Sequence, residues 1–386
     1  MNWFAPRPFE WFLLAEIILY MTGILWFLWG MRKHAGGTSP QPLVSVVVAA
    51  RNEEARIVDC LSLLATQDYP NFEVIVVDDG STDGTAELIA GWVEADKRFK
   101  LIGLSGSGSK KAALTAAIAE AAGEVIATTD ADCAMGNGWL SSLMTYLESD
   151  VGMVIGFSQI GRPGESLGVR GGYEALDFLN LMACIWGSSG RGHPMAASGQ
   201  NLLFRRAAYR EVGGYEKVMH RVSGDDVLLM QMIRTQTQWR IAFASAPASF
   251  TVHPPATSWK ELLNQRARWA SNAPLMATFD PLFYGYMLIT YGLSWCVILS
   301  PLLVLLGWVH PLFMAVVLGS KWFGETLFFL RANALGQRFE LTLFLPLYML
   351  LQPIHVAIVG GLGVLGVFSW KGRRHRWGQT NKRMDN

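Results

Sequence analysis

Residues 43–54 read "LVSVVVAARNEE". The run from Leu43 to Ala50 is short, rich in β-branched residues and apolar at successive positions, so both of its faces must be buried. That is the signature of an interior strand in a parallel sheet rather than of a half-exposed one. It then changes within one residue to Arg51, Asn52, Glu53 and Glu54. An apolar strand that stops on polar groups places those groups at a sheet edge facing solvent or a ligand.

The chain repeats this pattern as it goes on. "EEARIVDCLSLLATQ" (53–67) has helical spacing and is broken by "DYPN". "FEVIVVDD" (72–79) is a second strand, and "TDGTAELIAGWVEA" (82–95) a second helix, with Asp83 as its expected N-cap. "FKLIGL" (99–104) is a third strand, followed by the alanine-rich "KKAALTAAIAEAAG" (110–123). "EVIATTDADC" (124–133) is a fourth. Strand and helix in strict alternation call for an α/β fold with a mostly parallel sheet covered on both faces. Ligands of such sheets bind beyond the carboxyl ends of the strands. Three of the four strands end in acidic groups: "ARNEE", "DDGSTD" and "DADC". Carboxylates gathered there repel one another unless a cation or a donor-rich ligand joins them.

Two nucleotide-binding patterns are excluded. A dinucleotide fold carries G-x-G-x-x-G after its first strand, where this chain has "ARNEE". "GLSGSGSKK" (103–111) has the glycines of a P-loop but no lysine directly after Gly108. Asp130 and Asp132 fall on one side of an extended segment, because side chains alternate along a strand. Paired carboxylates with substrate phosphate oxygens suit Mg²⁺ or another hard divalent ion. Asp225 and Asp226, in "HRVSGDDVLLMQMI", open an apolar helical run; they are either dipole-favoured acids or a general base. In "SWKELLNQRARWA" (258–270), Ser258 and Glu261 form a capping box. Gln265, Arg268 and Trp269 then share one helix face, with Arg266 pointing elsewhere. That face belongs either at lipid headgroups or over an active site.

Outside this middle region the chain turns apolar. "WFLLAEIILYMTGILWFLWG" (11–30) is long enough to cross a bilayer, and its length, Glu16 and trailing "MRKH" favour an anchor over a cleaved signal peptide. Apolar segments at about 283–309, 311–330 and 341–370 follow. Arg32, Lys33 and the basic tail "KGRRHRWGQTNKR" all predict a cytoplasmic position. Three crossings after the middle domain would put the tail outside, so one segment should not cross as a simple helix. The segment with Pro346 and Pro353 could be two half-spans, and the middle one holds Lys321 and Glu325, spaced to pair. The net charge of +1 argues against nucleic acid as a partner. Four scattered cysteines argue against a disulfide framework or zinc site.

"VSVVVAARNEE", "VVDDGSTDGT", "TTDADC", "GQNLLFRRAAYREVGGYE", "SGDDVLL" and "QRARW" occur in the order seen in family 2 glycosyltransferases. The last three resemble the membrane-embedded members: hyaluronan, chitin and cellulose synthases and ceramide glucosyltransferases. The resemblance covers about 43–275. It implies a GT-A nucleotide-sugar-binding domain and inverting, metal-dependent transfer from a nucleotide sugar, usually UDP-linked. The implied organisation is an amino-terminal anchor (1–37), the GT-A domain (38–256), an interfacial helix region (257–282), a carboxy-terminal transmembrane region (283–370) and a basic tail (371–386).

The resemblance also implies roles. Asp79, with Asp78 and the backbone near Ala50 and Glu53, would hold the nucleoside. Asp130 would approach the nucleotide, and Asp132 the Mg²⁺ or Mn²⁺ on its diphosphate. Lys111 matches the family's lysine after the third strand. Asp226 matches the base, although "SGDD" stands where T-E-D is more usual, which leaves Asp225 as an alternative. Gln265, Arg268 and Trp269 match Q-x-x-R-W, closing over donor and acceptor. With few apolar helices to line a channel, a membrane lipid at the cytoplasmic leaflet is the expected acceptor, at the inner or plasma membrane. A processive polysaccharide synthase is the alternative reading; a silent membrane scaffold or a transporter component is less favoured.

Overall fold

A computed structural model describes residues 7–34, 36–37, 41–106, 109–370 and 373–375. The chain forms two compact units. One comprises Arg32–Arg162 and Ser188–Pro255; the other comprises Met1–Met31, Pro163–Gly187 and Ala256–Asn386. The expected 38–256 domain is thus interrupted. Pro163–Gly187 packs with the helical unit, through side chains such as Glu174, Asp177 and Tyr173 that meet Ala256, Arg266 and His355.

Among the described residues the first unit has ten strands: β1 (Val44–Ala50), β2 (Phe72–Asp78), β3 (Phe99–Gly103), β4 (Val125–Asp130), β5 (Ala134–Met135), β6 (Val151–Gly156), β7 (Ser158–Ile160), β8 (Leu202–Arg205), β9 (Arg240–Ala244) and β10 (Thr251–His253). The main sheet runs β3-β2-β1-β4-β8-β6-β9, and a small one runs β5-β10-β7. β1 is central among the four alternating strands and parallel to β2 and β4, and β2 is parallel to β3. Val44, Val46, Val47 and Val48 are fully buried, as a strand covered on both faces requires. β8 runs antiparallel to β4 and β6. Register sets the later chemistry: Ala50 pairs with Asp78 and Ala49 with Asp130, so three strand ends finish level with one another.

Asn201 ties the two sheets together. Its Oδ1 accepts from Trp139 Nε1 at 2.9 Å, and its Nδ2 donates to Phe157 O and Ser249 O, both at 2.8 Å. Gly156 faces it so closely that a Cβ there would lie 2.2 Å from the Asn201 carboxamide.

In the helical unit, Pro8–Gly30, Pro281–Ile298, Pro311–Gly336 and Phe339–Val364 are long and apolar enough to cross a membrane. The last contains one continuous α-helix, Leu345–Val364, with Pro346 in its first turn and Pro353 inside it, rather than two halves. Lys321 pairs with Glu325 as expected and also donates to Gln352 Oε1 at 3.1 Å, while Tyr20 donates to Glu325 Oε1 at 2.9 Å. This neutralises charges that would be costly in lipid. Ser258 caps the Trp259–Ala270 helix by accepting from Glu261 N at 3.2 Å, but Glu261 reaches back one residue further than a capping box, to Thr257 N at 2.6 Å. Most of the basic tail lies outside the described residues.

Asn201→Ala would strip the buried Trp139 Nε1 donor and the Ser249 carbonyl of this partner, while Phe157 O keeps its bond from Thr251 N at 3.1 Å. A loss of about 3 kcal/mol is expected, at 1–3 kcal/mol per orphaned group. Thermal unfolding in detergent checks it.

Candidate active site

The level strand ends bring the acidic groups together. β1 and β2 are laced at their tips: Asp79 N donates to Ala50 O at 2.9 Å, Glu53 N to Thr85 Oγ1 at 2.9 Å, and Thr82 N to Asn52 Oδ1 at 2.8 Å. Asn52 takes the left-handed conformation (φ 55°), which asparagine tolerates, to turn the chain there. Asp83 stands one residue ahead of the N-cap, Gly84, and accepts from Thr85 N and Oγ1. The Asp78 carboxylate is used within its own turn, accepting from the amide and hydroxyl of Ser81. Asp79 is buried, 3.8 Å from Arg51 Nη1.

At the end of β4, Asp130 Oδ1 accepts from Lys110 Nζ at 2.6 Å. The same ammonium lies 3.2 Å from Asp225 Oδ2. Lys110 therefore joins the Asp130 strand end to the loop bearing Asp225 and Asp226. Lys111, the lysine singled out from the sequence, is 1% exposed and donates to Arg221 O at 2.7 Å and Ser223 O at 2.9 Å. It shapes the backbone of that loop. The sequence signal for Lys110 was only its place at the start of a helix, shared with its neighbour.

Asp226 N-caps the Val227–Gln236 helix, accepting from Val227 N at 2.6 Å and from Gly199 N at 2.9 Å. Gly199 is needed for this approach, since a Cβ there would lie 3.0 Å from Asp225 Oδ2 and 3.3 Å from Lys110 Nζ. The two aspartates diverge electrostatically. Burial works against the Asp225 carboxylate, but Lys110 and then Lys111 hold its pKa below the usual range. Burial and the adjacent Asp225 charge push Asp226 above it. Neighbouring carboxylates driven apart in this way mark candidate acid–base roles.

Asp132 is pushed up to about 6 by burial, then by Asp130 and Glu53, with Arg56 opposing at 3.8 Å. Crowded carboxylates of this kind fit a divalent cation. Among the described residues no group of three metal-ligating side chains is close enough to hold one alone. Asp130 and Asp132 would therefore share it with a ligand's oxygens, as Mg²⁺ commonly does. Cys60 and Cys133, beside this cluster, are buried and their thiol pKa values raised, so neither is a nucleophile.

A family model described as glycosyl transferase family 2 matches residues 45–213. Residues 45–213 are a family 2 glycosyltransferase domain. The match contains Glu53, Asp78, Asp79, Lys110, Lys111, Asp130 and Asp132, and ends before Asp225 and Asp226. Among curated relatives, a glycosyltransferase, AglE, of Haloferax volcanii is 30% identical over 49% of this chain and 60% of its own. A beta-monoglucosyldiacylglycerol synthase of Synechocystis is 30% identical over 60% of this chain and 48% of its own. A poly-beta-1,6-N-acetyl-D-glucosamine synthase of Staphylococcus epidermidis is 27% identical over 46% and 42%. The chain thus spans about half the length of the curated relatives it matches. A mannosyltransferase from Pyrobaculum calidifontis, solved with GDP-Man and Mn²⁺, superposes with a TM-score of 0.62 at 18% identity, over 92% of this chain and 98% of its own. The glycosyltransferase domain is accordingly GT-A-like in fold.

Gln265, Arg268 and Trp269 belong to the helical unit, on the Trp259–Ala270 helix. Arg266 does not point away from them. Its Nη1 donates to Gln265 Oε1 at 2.6 Å, and its guanidinium lies 4.4 Å from the Trp269 ring centroid.

The lowered pKa of Asp225 means that its ion pairing stabilises the fold above the ordinary aspartate range and is lost as pH falls below that range, through the lowered folded-state value. Lys110→Met is expected to cost about 3 kcal/mol at pH 7.5, as for a broken buried pair. The deficit in melting temperature should hold down to the ordinary aspartate value of 3.8 and shrink below it; a deficit constant with pH would contradict this pairing.

Proposed function

We propose that the protein transfers a sugar from a nucleotide sugar, most simply a UDP-sugar, to a hydroxyl of a membrane lipid, with inversion at the anomeric carbon. The observation that carries this is the Lys110 bridge. It brings the strand end of a diphosphate-binding pair, Asp130 and Asp132, against a second acidic pair, Asp225 and Asp226. Asp79 would hold the nucleoside at the neighbouring strand end. Asp226 is the base: its raised pKa suits proton capture, whereas Asp225 is neutralised by Lys110. As the acceptor oxygen bonds to the anomeric carbon, its proton passes to Asp226. The bond from that carbon to the diphosphate breaks, and the electron pair leaves with the nucleoside diphosphate. A bound Mg²⁺ or Mn²⁺ would neutralise charge on that leaving group. Lys110 is placed to do the same once a donor draws it from Asp130. Gln265, Arg268 and Trp269 would close over donor and acceptor, as their motif suggests. The lipid acceptor is supported by relatives named beta-monoglucosyldiacylglycerol synthases.

Washed membranes carrying the protein, given a panel of radiolabelled nucleotide sugars, test this. Label is expected in the organic phase, absent with Asp226→Asn and abolished by EDTA. Label in large polymeric material would support a polysaccharide synthase instead, and activity undiminished by chelation would remove the metal assignment. Because Asp226 is raised, transfer should fall as pH drops through a value above that of an ordinary aspartate, by about tenfold per unit below it.

We also propose that three of the four apolar helices cross the membrane and that Leu345–Val364 lies along its surface. Two charged helices meet this helix along its length. A Cβ at Gly172 would strike the Phe344 ring, and Tyr348 and His355 both pack on Tyr173. At the other end a Cβ at Gly363 would lie 2.5 Å from Ala270 Cβ, and Ser369 N donates to Asn264 Oδ1 at 3.1 Å. Gly168–Gly190 carries Arg170, Glu174 and Asp177, and Trp259–Ala270 carries Lys260, Glu261, Arg266 and Arg268, so neither belongs in hydrocarbon. Leu350, Ile354 and Ile358, exposed at every fourth residue, would dip into the acyl layer. This puts the basic tail on the catalytic, cytoplasmic side with Arg32 and Lys33 and removes the parity conflict. Epitope tags at the carboxyl terminus and beside Lys33 should both need permeabilisation of intact cells for detection; a carboxy-terminal tag readable from outside would refute it.

A further inference from the structure

Between the Gly168–Gly190, Trp259–Ala270 and Leu345–Val364 helices lies a second polar cluster, all of it in the helical unit. Arg266 Nε donates to Asp177 Oδ2 at 2.8 Å, and Glu174 Oε2 accepts from Ala256 N at 2.9 Å. The Tyr173 hydroxyl pairs with His355 Nδ1 at 2.8 Å. Among the described residues, four buried atoms here have no hydrogen-bond partner: Glu174 Oε1, Asn180 Oδ1, Arg170 Nη1 and Arg266 Nη2. Glu174 is fully buried and Arg266 6% exposed, so their open valences carry a desolvation cost unless something fills them. Burial, partly offset by Arg266, raises the Glu174 carboxyl above its usual range, consistent with an acceptor in want of a donor.

We propose that this cluster binds the uncharged, hydroxyl-bearing headgroup of a membrane lipid, of the glycerol type. The chemistry of the open atoms selects it. Two are acceptors and two are donors, and a hydroxyl can give its proton to Glu174 Oε1 while accepting from Arg266 Nη2 or Arg170 Nη1. The charges already balance, Arg170 and Arg266 against Glu174 and Asp177. A phosphate would leave the cluster net negative, and when fully ionised it has no proton for Glu174. Aromatic walls suit the boundary where a headgroup meets its acyl chains. Tyr173 packs against Trp259 and Tyr348 at ring-centroid distances of 5.4 and 5.8 Å, and Phe178 lies 6.1 Å from Trp269. Arg266 connects the cluster to the Q-x-x-R-W residues, since it holds Gln265 and stacks on Trp269. The assignment deepens the lipid-acceptor reading and depends on it for the headgroup's fate, but not for its binding.

The test is therefore a binding measurement without any nucleotide sugar. Full-length, delipidated protein in detergent is titrated with radiolabelled dioctanoylglycerol, with unlabelled dioctanoyl phosphatidate as competitor. Saturable binding is expected in the wild type and in Asp226→Asn, weakened at least fivefold in Glu174→Gln and in Asn180→Ala at unchanged melting temperature. If Glu174→Gln does not fold, Asn180→Ala carries the comparison. Wild-type affinity in both variants, no saturable binding in the wild type, or displacement by phosphatidate at equal or lower concentration would each overturn the proposal; the first two would assign the open valences to water. Intact binding without sugar transfer to any lipid would overturn the enzymatic reading and leave this one standing.

Discussion

The ammonium of Lys110 is the contact on which the candidate site depends. Three carboxylates, Asp130, Asp225 and Asp226, meet where β4 ends and a helix begins, and like charges at such range repel strongly in a poorly solvated setting. Lys110 sits between the first two and makes their approach favourable. Burial opposes its charge, yet Asp130 and Asp225 together raise its pKa, so the ammonium persists. Lys111, on the next residue, fixes the backbone of the same loop. Two adjacent lysines thus divide the labour, one neutralising carboxylates and the other binding carbonyls. Gly199 completes the arrangement by leaving room for the acidic loop and supplying an amide to Asp226.

Much of this was legible in the sequence because the burial pattern is extreme. Four β-branched or apolar runs, three of them ending in polar residues, read directly as strands, and their parallel pairing follows from the alternation with helices. The strands that complete the sheet were harder to read. "VGMVIG" is short and glycine-bearing, and β8 takes its place by antiparallel pairing with partners distant in sequence. Lys110 and Lys111 could not be separated either. Neighbours on a helix point about 100° apart, and which one faces the site depends on where Ser109 starts the helix. Arg266 was misread for a related reason: its side chain is long enough to fold back onto Gln265 and Trp269 despite its place on the helical wheel.

The helical unit solves a different problem, that of charge among apolar residues. Lys321 and Glu325 neutralise each other and draw in Tyr20 and Gln352 from two other helices. The pair therefore also acts as a clamp between helices. The cluster around Glu174 and Arg266 is less complete. Its charges balance while four buried atoms stay open among the described residues, against one, Glu325 Oε2, at the Lys321–Glu325 pair.

The discontinuity of the two units bears on biosynthesis. The helical unit takes one element from the start of the chain, one from its middle and the rest from the end. The Pro8–Gly30 helix leaves the ribosome well before Pro281–Ile298 and Pro311–Gly336, against which it packs. Pro163–Gly187 must wait in the same way for residues after Ala256. The sheet unit can close once β10 has emerged, with its seven-stranded sheet and most of its core complete. Vectorial synthesis therefore favours a sheet unit that forms early and a helical unit that is completed late, with the middle helix in need of protection during the interval.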